Sequence, residues 1–223
     1  MNIYLISIFP EIFDSFLSTS LIKKAIDKDI LKFHKIDARD FTTDKHKKID
    51  DDIYGGWAGM LMMAQPMIDA VNSVLSYIKW DFKIVFPSPS KDIWDQTSAH
   101  SFSKIENLIF VWWRYEGIDH RFVQYFQDKY PDKFAQISLG KFVTLWGELP
   151  IMVMIESIVR LIPWVIKEEL SWQDESYAIS QNMENLEYPQ YTRPQEVSWY
   201  KVPEVLLNWN HKEIEKRRKE NSK

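Results

Sequence analysis

The sequence predicts an α/β fold with a mainly parallel sheet, followed by a small, mostly helical C-terminal domain. Short apolar runs at residues 3–9 and 108–112 suit strands covered on both faces. Stretches of helical periodicity lie between such runs, and strands alternating with helices imply crossover connections and parallel pairing. A third observation sets off the end of the chain. Residues 164–185 lose periodicity and fill with Glu, Gln, Ser and Asn, as a linker does. The expected organisation is an α/β domain over 1–163, a linker over 164–187 and a small helical domain over 188–223.

Each element has a local reason. After the first strand, Pro10 at a helix start and the pattern Ile12, Phe13, Phe16, Leu17 give a short amphipathic helix. Ser20 is placed to cap a second helix through Lys28, and residues 31–36 alternate like a strand. Residues 39–59 form a long polar connection ending in Tyr54-Gly-Gly-Trp-Ala-Gly59. Connections of that length are usually functional or mobile. Pro66 opens a helix to about Ile78, and residues 83–86 form a strand closed by Pro87-Ser-Pro89. A helix over 96–105 leads into the central strand, 108–112, and another runs from Asp119 to about Lys129. Residues 134–139 form the next strand, ended by Gly140. Residues 149–162 are strongly helical, with Met152, Ile155, Val159 and Ile162 on one face, until Pro163 stops them. A charged helix starts near His211.

The 223 residues are 45% hydrophobic and 27% charged, the balance of an ordinary globular protein. No apolar run approaches the ~18 residues that span a bilayer, and the start is already strand-like, so neither membrane nor signal peptide is expected. The absence of cysteine excludes disulfides and thiol catalysis. A net charge of −4 confines any nucleic-acid contact to local basic patches, such as Lys45-His-Lys-Lys48 or the tail from Lys212. No second His or Cys stands at metal spacing from His46, so no protein metal site is expected.

The central strand gives way to the loop Arg114-Tyr-Glu-Gly-Ile-Asp119. Ligands of open α/β sheets bind at such carboxyl ends. Tyr115, Glu116 and Asp119 supply a ring and two carboxylates, while Gly117 gives freedom to turn. An ordinary helix start with Asp119 as N-cap accounts for the same residues.

Several segments carry a resemblance when read in order. They are Leu5-Ile-Ser-Ile-Phe-Pro-Glu-Ile-Phe13, Arg39-Asp-Phe-Thr-Thr-Asp-Lys-His46, Asp51-Asp-Ile-Tyr-Gly-Gly-Trp-Ala-Gly-Met60 and Arg114-Tyr-Glu-Gly-Ile-Asp119. Further along come Gly147-Glu-Leu-Pro150, Arg160-Leu-Ile-Pro163, Tyr188-Pro-Gln-Tyr-Thr-Arg-Pro194 and Val202-Pro-Glu-Val-Leu-Leu207. Together they resemble the bacterial tRNA (guanine-N1-)-methyltransferase family of the SPOUT class, which modifies guanosine 37 beside the anticodon. The resemblance implies a trefoil knot, a fold that periodicity cannot reveal.

It also implies S-adenosylmethionine bound against three strand-exit loops. The first offers Ser88 and Pro89; the second offers Trp113, Tyr115, Glu116 and Ile118. The third runs from Ser138 to Gly147, with Leu139, Gly140, Phe142, Val143 and Thr144 presenting main-chain groups and Lys141, Leu145 and Trp146 beside them. Asp50 belongs to the loop near the target base, and Lys45, Lys47 and Arg193 are the candidate contacts to the anticodon stem-loop of tRNA. The family is dimeric and cytoplasmic, each site being completed by the partner subunit, with Mg²⁺ as a candidate cofactor held by carboxylates and substrate.

Methylating N1 of a neutral guanine requires a base for its proton and stabilisation of charge on O6. Counting on from Arg160, as the family spacing directs, reaches Glu175; Asp174 takes the role if the loop is shifted. Arg160 itself is the candidate for the charge on O6, or else an ordinary basic end to an apolar helix. Glu148 reads as a cap of the following helix.

Two features depart from the family. Lys141 replaces its usual aspartate, and Thr144-Leu145 reverses its usual order. There are also only 6 glycines against 10 tryptophans. Trp57, Trp113, Trp146, Trp164, Trp199 and Trp209 fall where the family ordinarily carries glycine. Trp113 and Trp146 lie in cofactor loops, so the chain as written is expected to hold the cofactor poorly. An inactive RNA-binding homologue with a blocked pocket is therefore the alternative to an active enzyme.

Overall fold

The structure, a computed structural model, describes residues 1–78, 80–89, 92–166, 176–177, 186–208 and 210–222. The chain divides into two compact units, Met1–Lys167 and Glu168–Lys223.

In the first unit, β1 (Asn2–Ser7) leads through a 3-10 turn (Pro10–Phe13) and one helical turn, α1 (Asp14–Leu17), into α2 (Ser20–Asp27). Then come β2 (Lys32–Asp37), β3 (Asp50–Asp52), β4 (Met60–Met62) and α3 (Ala64–Leu75). The unit is completed by β5 (Phe82–Pro87), α4 (Gln96–Phe102), β6 (Asn107–Val111), α5 (Arg121–Lys129), β7 (Phe134–Ile137) and α6 (Glu148–Val159).

Five strands form one sheet in the order β2-β1-β6-β5-β7, and every pairing is parallel. The central strand is β6, with Leu5 opposite Phe110 on one side and Ile84 opposite Ile109 on the other. Its side chains alternate between two cores. Ile109 and Val111 pack in one core with Met67, Val71 and Val74 of α3 and Phe122 and Phe126 of α5. Leu108, Phe110 and the following Trp112 pack in the other, with Ile151, Met154, Ile155 and Ile158 of α6. Cover on both faces is why the run is continuously apolar.

Several expectations shift. The 39–59 connection holds β3, which pairs antiparallel with β4. The strand is Asp50-Asp51-Asp52, a composition with no β-propensity, so only tertiary pairing reveals it. Helix α3 begins at Ala64, which puts Pro66 in the first turn, where its missing N–H costs nothing. Ser20 is the first residue of α2, whose N-cap is Thr19 and has no side-chain capping bond. The buried face of α6 centres on Ile151, Met154, Ile155 and Ile158 rather than on Met152 and Ile162. This helix is apolar almost all round, so its own pattern cannot fix its phase.

The second unit holds more than helix. A hairpin of β8 (Glu196–Val197) and β9 (Tyr200–Lys201) precedes a 3-10 turn (Glu204–Leu206) and α7 (His211–Asn221). On α7, Lys216 pairs with Glu220 and Lys219 with Glu215, as on a solvated helix.

Candidate active site

The carboxyl ends of β5, β6 and β7 converge on the start of α6 around a cavity of about 60 Å³. Parallel pairing brings three strand exits to one edge, which is why it forms here. Ser88, Pro89, Trp113, Ser138, Leu139, Phe142, Val143, Thr144 and Gly147 line it. Pro87, Ile137 and Pro150 also line it, although the sequence reading did not single them out. Pro87 and Pro150 stood inside noted motifs, but nothing local marked them as lining residues.

The exits are stitched together. Ser138 N–H donates to Asp92 O at 2.8 Å, and Trp94 N–H donates to Ser138 O at 2.8 Å. The Ser138 hydroxyl donates to Gly140 O at 2.9 Å and accepts Gly140 N–H at 3.1 Å. The Trp113 indole crosses from the β6 exit to the β5 exit, its Nε1 donating to Pro87 O at 2.9 Å. Gly147 is needed for close packing: a Cβ there would meet Trp112 Cβ at 2.8 Å. Gly140, Lys141, Leu145 and Trp146 belong to the same loop without lining the cavity.

Tyr115, Glu116 and Ile118 do not line it either; their loop docks on the β3–β4 hairpin. Glu116 N–H donates to Met60 O at 3.0 Å, Met62 N–H to Gly117 O at 2.9 Å and Asp119 N–H to Met62 O at 2.9 Å. This docking brings Asp50 to the Tyr115 side chain. Burial pushes the Tyr115 hydroxyl pKa upward, and the charge of Asp50 adds to the rise. The N-cap of α5 is His120, which makes no side-chain capping bond, and not Asp119 as expected; Asp119, one residue earlier, accepts Arg121 N–H at 2.9 Å.

An arginine pair stands beside the hairpin. The Arg39 and Arg114 guanidinium carbons lie 4.6 and 4.9 Å from the Phe9 ring centroid, and Arg114 also lies 3.9 Å from that of Trp146. Arg114 donates from Nε and Nη2 to Glu148 Oε1, at 2.8 and 2.7 Å. Glu148 is 1% exposed, and its Oε2 makes no hydrogen bond among the described residues. The carboxylate read as a helix cap is therefore the buried anchor of the β6 exit.

The other candidates lie apart. Arg160 is the C-cap of α6, at the end opposite Glu148 and the cavity. It lines a separate groove of about 580 Å³ with Ile12, Phe16, Leu21 and Met152. In the lysine run, Lys47 bonds Asp40 at 2.5 Å, which raises the pKa of Lys47, and Lys48 bonds Asp51 at 3.1 Å. Lys45 is exposed in the same loop, and Arg193 lies in the second unit. Glu175, Asp174 and Trp209 lie outside the described residues. Among the described residues, no cluster of His, Cys, Asp or Glu could hold a metal ion, and no helix is long and apolar enough to cross a membrane.

Comparison with known proteins places this arrangement. Residues 1–223 match the family model described as tRNA (Guanine-1)-methyltransferase TrmD. The chain belongs to this family. It is 44% identical over 214 residues to the tRNA (guanine-N(1)-)-methyltransferase of Mycoplasmopsis synoviae, covering 96% of this chain and 88% of the relative. The protein of the same name from Clostridium perfringens (strain SM101 / Type A) is 45% identical, with coverage of 99% and 88%. That from Clostridioides difficile is 39% identical, with coverage of 100% and 92%.

Proposed function

We propose that this chain is a tRNA (guanine-N1-)-methyltransferase that modifies guanosine 37 with S-adenosylmethionine as methyl donor. The observation that carries the reading is the family match from end to end of the chain. Loss of the N1 proton falls to a carboxylate, Glu175 or Asp174, and a guanidinium stabilises the charge that builds on O6. Arg160 is the candidate for that second role.

Its position bears on assembly. From Glu148 to Arg160 the helix rise spans roughly 18 Å, too far for one chain to bring Arg160 to its own cavity. A homodimer, in which the partner subunit completes each site, accounts for the separation. The exposed Leu149 and Val153 on α6, beside the apolar groove, supply the surface such a dimer would cover. The trefoil knot is proposed from the family match, and the parallel sheet of order β2-β1-β6-β5-β7 is compatible with it. Asp50, Lys45, Lys47 and Arg193 are the proposed tRNA contacts, the cytoplasm the proposed compartment, and Mg²⁺ a cofactor held only with substrate.

The residues present at the cavity do not fit the donor. About 60 Å³ is well short of the roughly 300–1,000 Å³ of small-molecule sites, with Trp113 filling one wall. That misfit favours a second reading, an RNA-binding homologue with a blocked pocket. Incubating the protein with unmodified tRNA transcript and labelled S-adenosylmethionine, then mapping the label, decides between them. Methyl on N1 of guanosine 37 upholds the enzyme, a ribose methyl overturns it, and tRNA binding without transfer by the chain as written supports the second reading.

A further inference from the structure

The described tryptophans include two physical extremes. Trp94 is at home: its indole is half-buried, Nε1 donates to Ser157 Oγ at 2.9 Å, and its ring stands edge-on to Phe102 at 5.2 Å. Trp164 and Trp199 are the reverse. They are 77% and 91% exposed, and their φ angles are +71° and +73°. A bulky side chain gains nothing from such exposure and is strained in the left-handed region.

The surrounding turns specify what belongs at each place. Ser198 and Trp199 are the two central residues of the β8–β9 hairpin, and both have positive φ. That is the geometry of a type I′ turn, whose second central position favours glycine above all others. At the other site, Val165 N–H donates to Ile162 O at 3.2 Å across Pro163 and Trp164. Proline at the first central position and positive φ at the second make a type II turn, which again calls for glycine. Both turns favour a residue without a side chain at that position. The third site is the cavity wall. Trp113 places an indole across the space that three strand exits enclose, leaving about 60 Å³.

We propose that the functional polypeptide carries glycine at 113, 164 and 199, and that these positions are UGA codons read as glycine by the source organism. UGA is a stop in the standard code, tryptophan in some bacterial codes and glycine in others, so one codon accounts for a one-way exchange between residues at opposite extremes of size. The chain's 6 glycines and 10 tryptophans carry the imprint of that exchange. At residue 113 the consequence is a binding site: removing the indole opens the cavity to the proposed donor. That consequence rests on the functional reading above, whereas the turns at 164 and 199 do not.

The gene and the native protein provide the first test. UGA at codons 113, 164 and 199, UGG at codon 94, and glycine in the corresponding peptides of protein isolated from its source are the expected results. UGG at the three codons, or tryptophan in those native peptides, overturns the proposal. The second test measures S-adenosylmethionine binding by calorimetry to the chain as written and to one carrying Trp113→Gly, Trp164→Gly and Trp199→Gly, with circular dichroism confirming that both fold. Saturable binding by the substituted chain and none by the other, at ligand up to about 1 mM, is expected. Equal binding by both folded chains overturns the claim of an opened site. Binding by the substituted chain without methyl transfer to guanosine upholds this inference and sinks the functional reading instead.

Discussion

At the scale of single residues, backbone conformation decides some positions and side-chain contact others. A tryptophan at positive φ sacrifices about 1–2 kcal/mol that glycine does not. Trp199→Gly and Trp164→Gly are therefore each expected to stabilise the chain by about 1 kcal/mol in urea titration, against the usual direction of a large-to-small change. Trp199→Ala, which keeps a Cβ, should recover little of that gain. Glu148 lies at the other extreme, buried and bonded twice by Arg114. Glu148→Ala leaves a guanidinium that is 15% exposed without its anion, and should destabilise the protein by about 3–5 kcal/mol. A loss below about 1 kcal/mol would refute the anchoring role.

At the scale of elements, the β6 exit loop is fixed by its two flanks. On one flank Asp119 accepts from Arg121, and that bond, more than any other influence, holds the Asp119 pKa below the ordinary carboxylate value. A depressed folded pKa contributes stability that is fully present above the unfolded value and lost as pH falls through the folded one. Asp119→Asn should thus lose about 0.5–1 kcal/mol at pH 7, a modest amount because Arg121 is largely exposed to screening solvent. The difference from the parent should fade as pH falls from the ordinary aspartate range through the lowered folded pKa, as paired unfolding curves would reveal. On the other flank, the first turn of α6 presses on Trp112. Gly147→Ala should cost about 1–3 kcal/mol, since the added Cβ meets the Trp112 side chain at 2.8 Å.

At the scale of the whole molecule, Arg160 and the cavity occupy opposite ends of one helix. A shared site predicts a homodimer in sedimentation at micromolar concentration. It also predicts that mixing protein carrying Arg160→Ala and Trp113→Gly with the Trp113 chain, whose cavity is blocked, yields methyl transfer that neither gives alone, because one of the two mixed sites is intact. An active monomer would overturn the shared site.

The sequence alone was enough for the five strands of the sheet: cover on both faces forces continuous apolar runs such as residues 108–112, whereas the exposed edge strand β2 betrays itself by alternation. It was also enough for the family, since eight motifs in order survive where single motifs would be weak. The rest depended on contacts between distant segments. Three aspartates become β3 only when Met60 to Met62 arrive to pair with them. Glu148 looks like a cap until Arg114, 34 residues earlier, closes on it. Tyr115 and Glu116 are cofactor candidates by resemblance, and only the fold shows that their loop is docked on the β3–β4 hairpin, outside the lining of the cavity. Local sequence carries the burial pattern of each element, whereas the partners of polar groups and the φ of a turn are set by what the rest of the chain brings alongside.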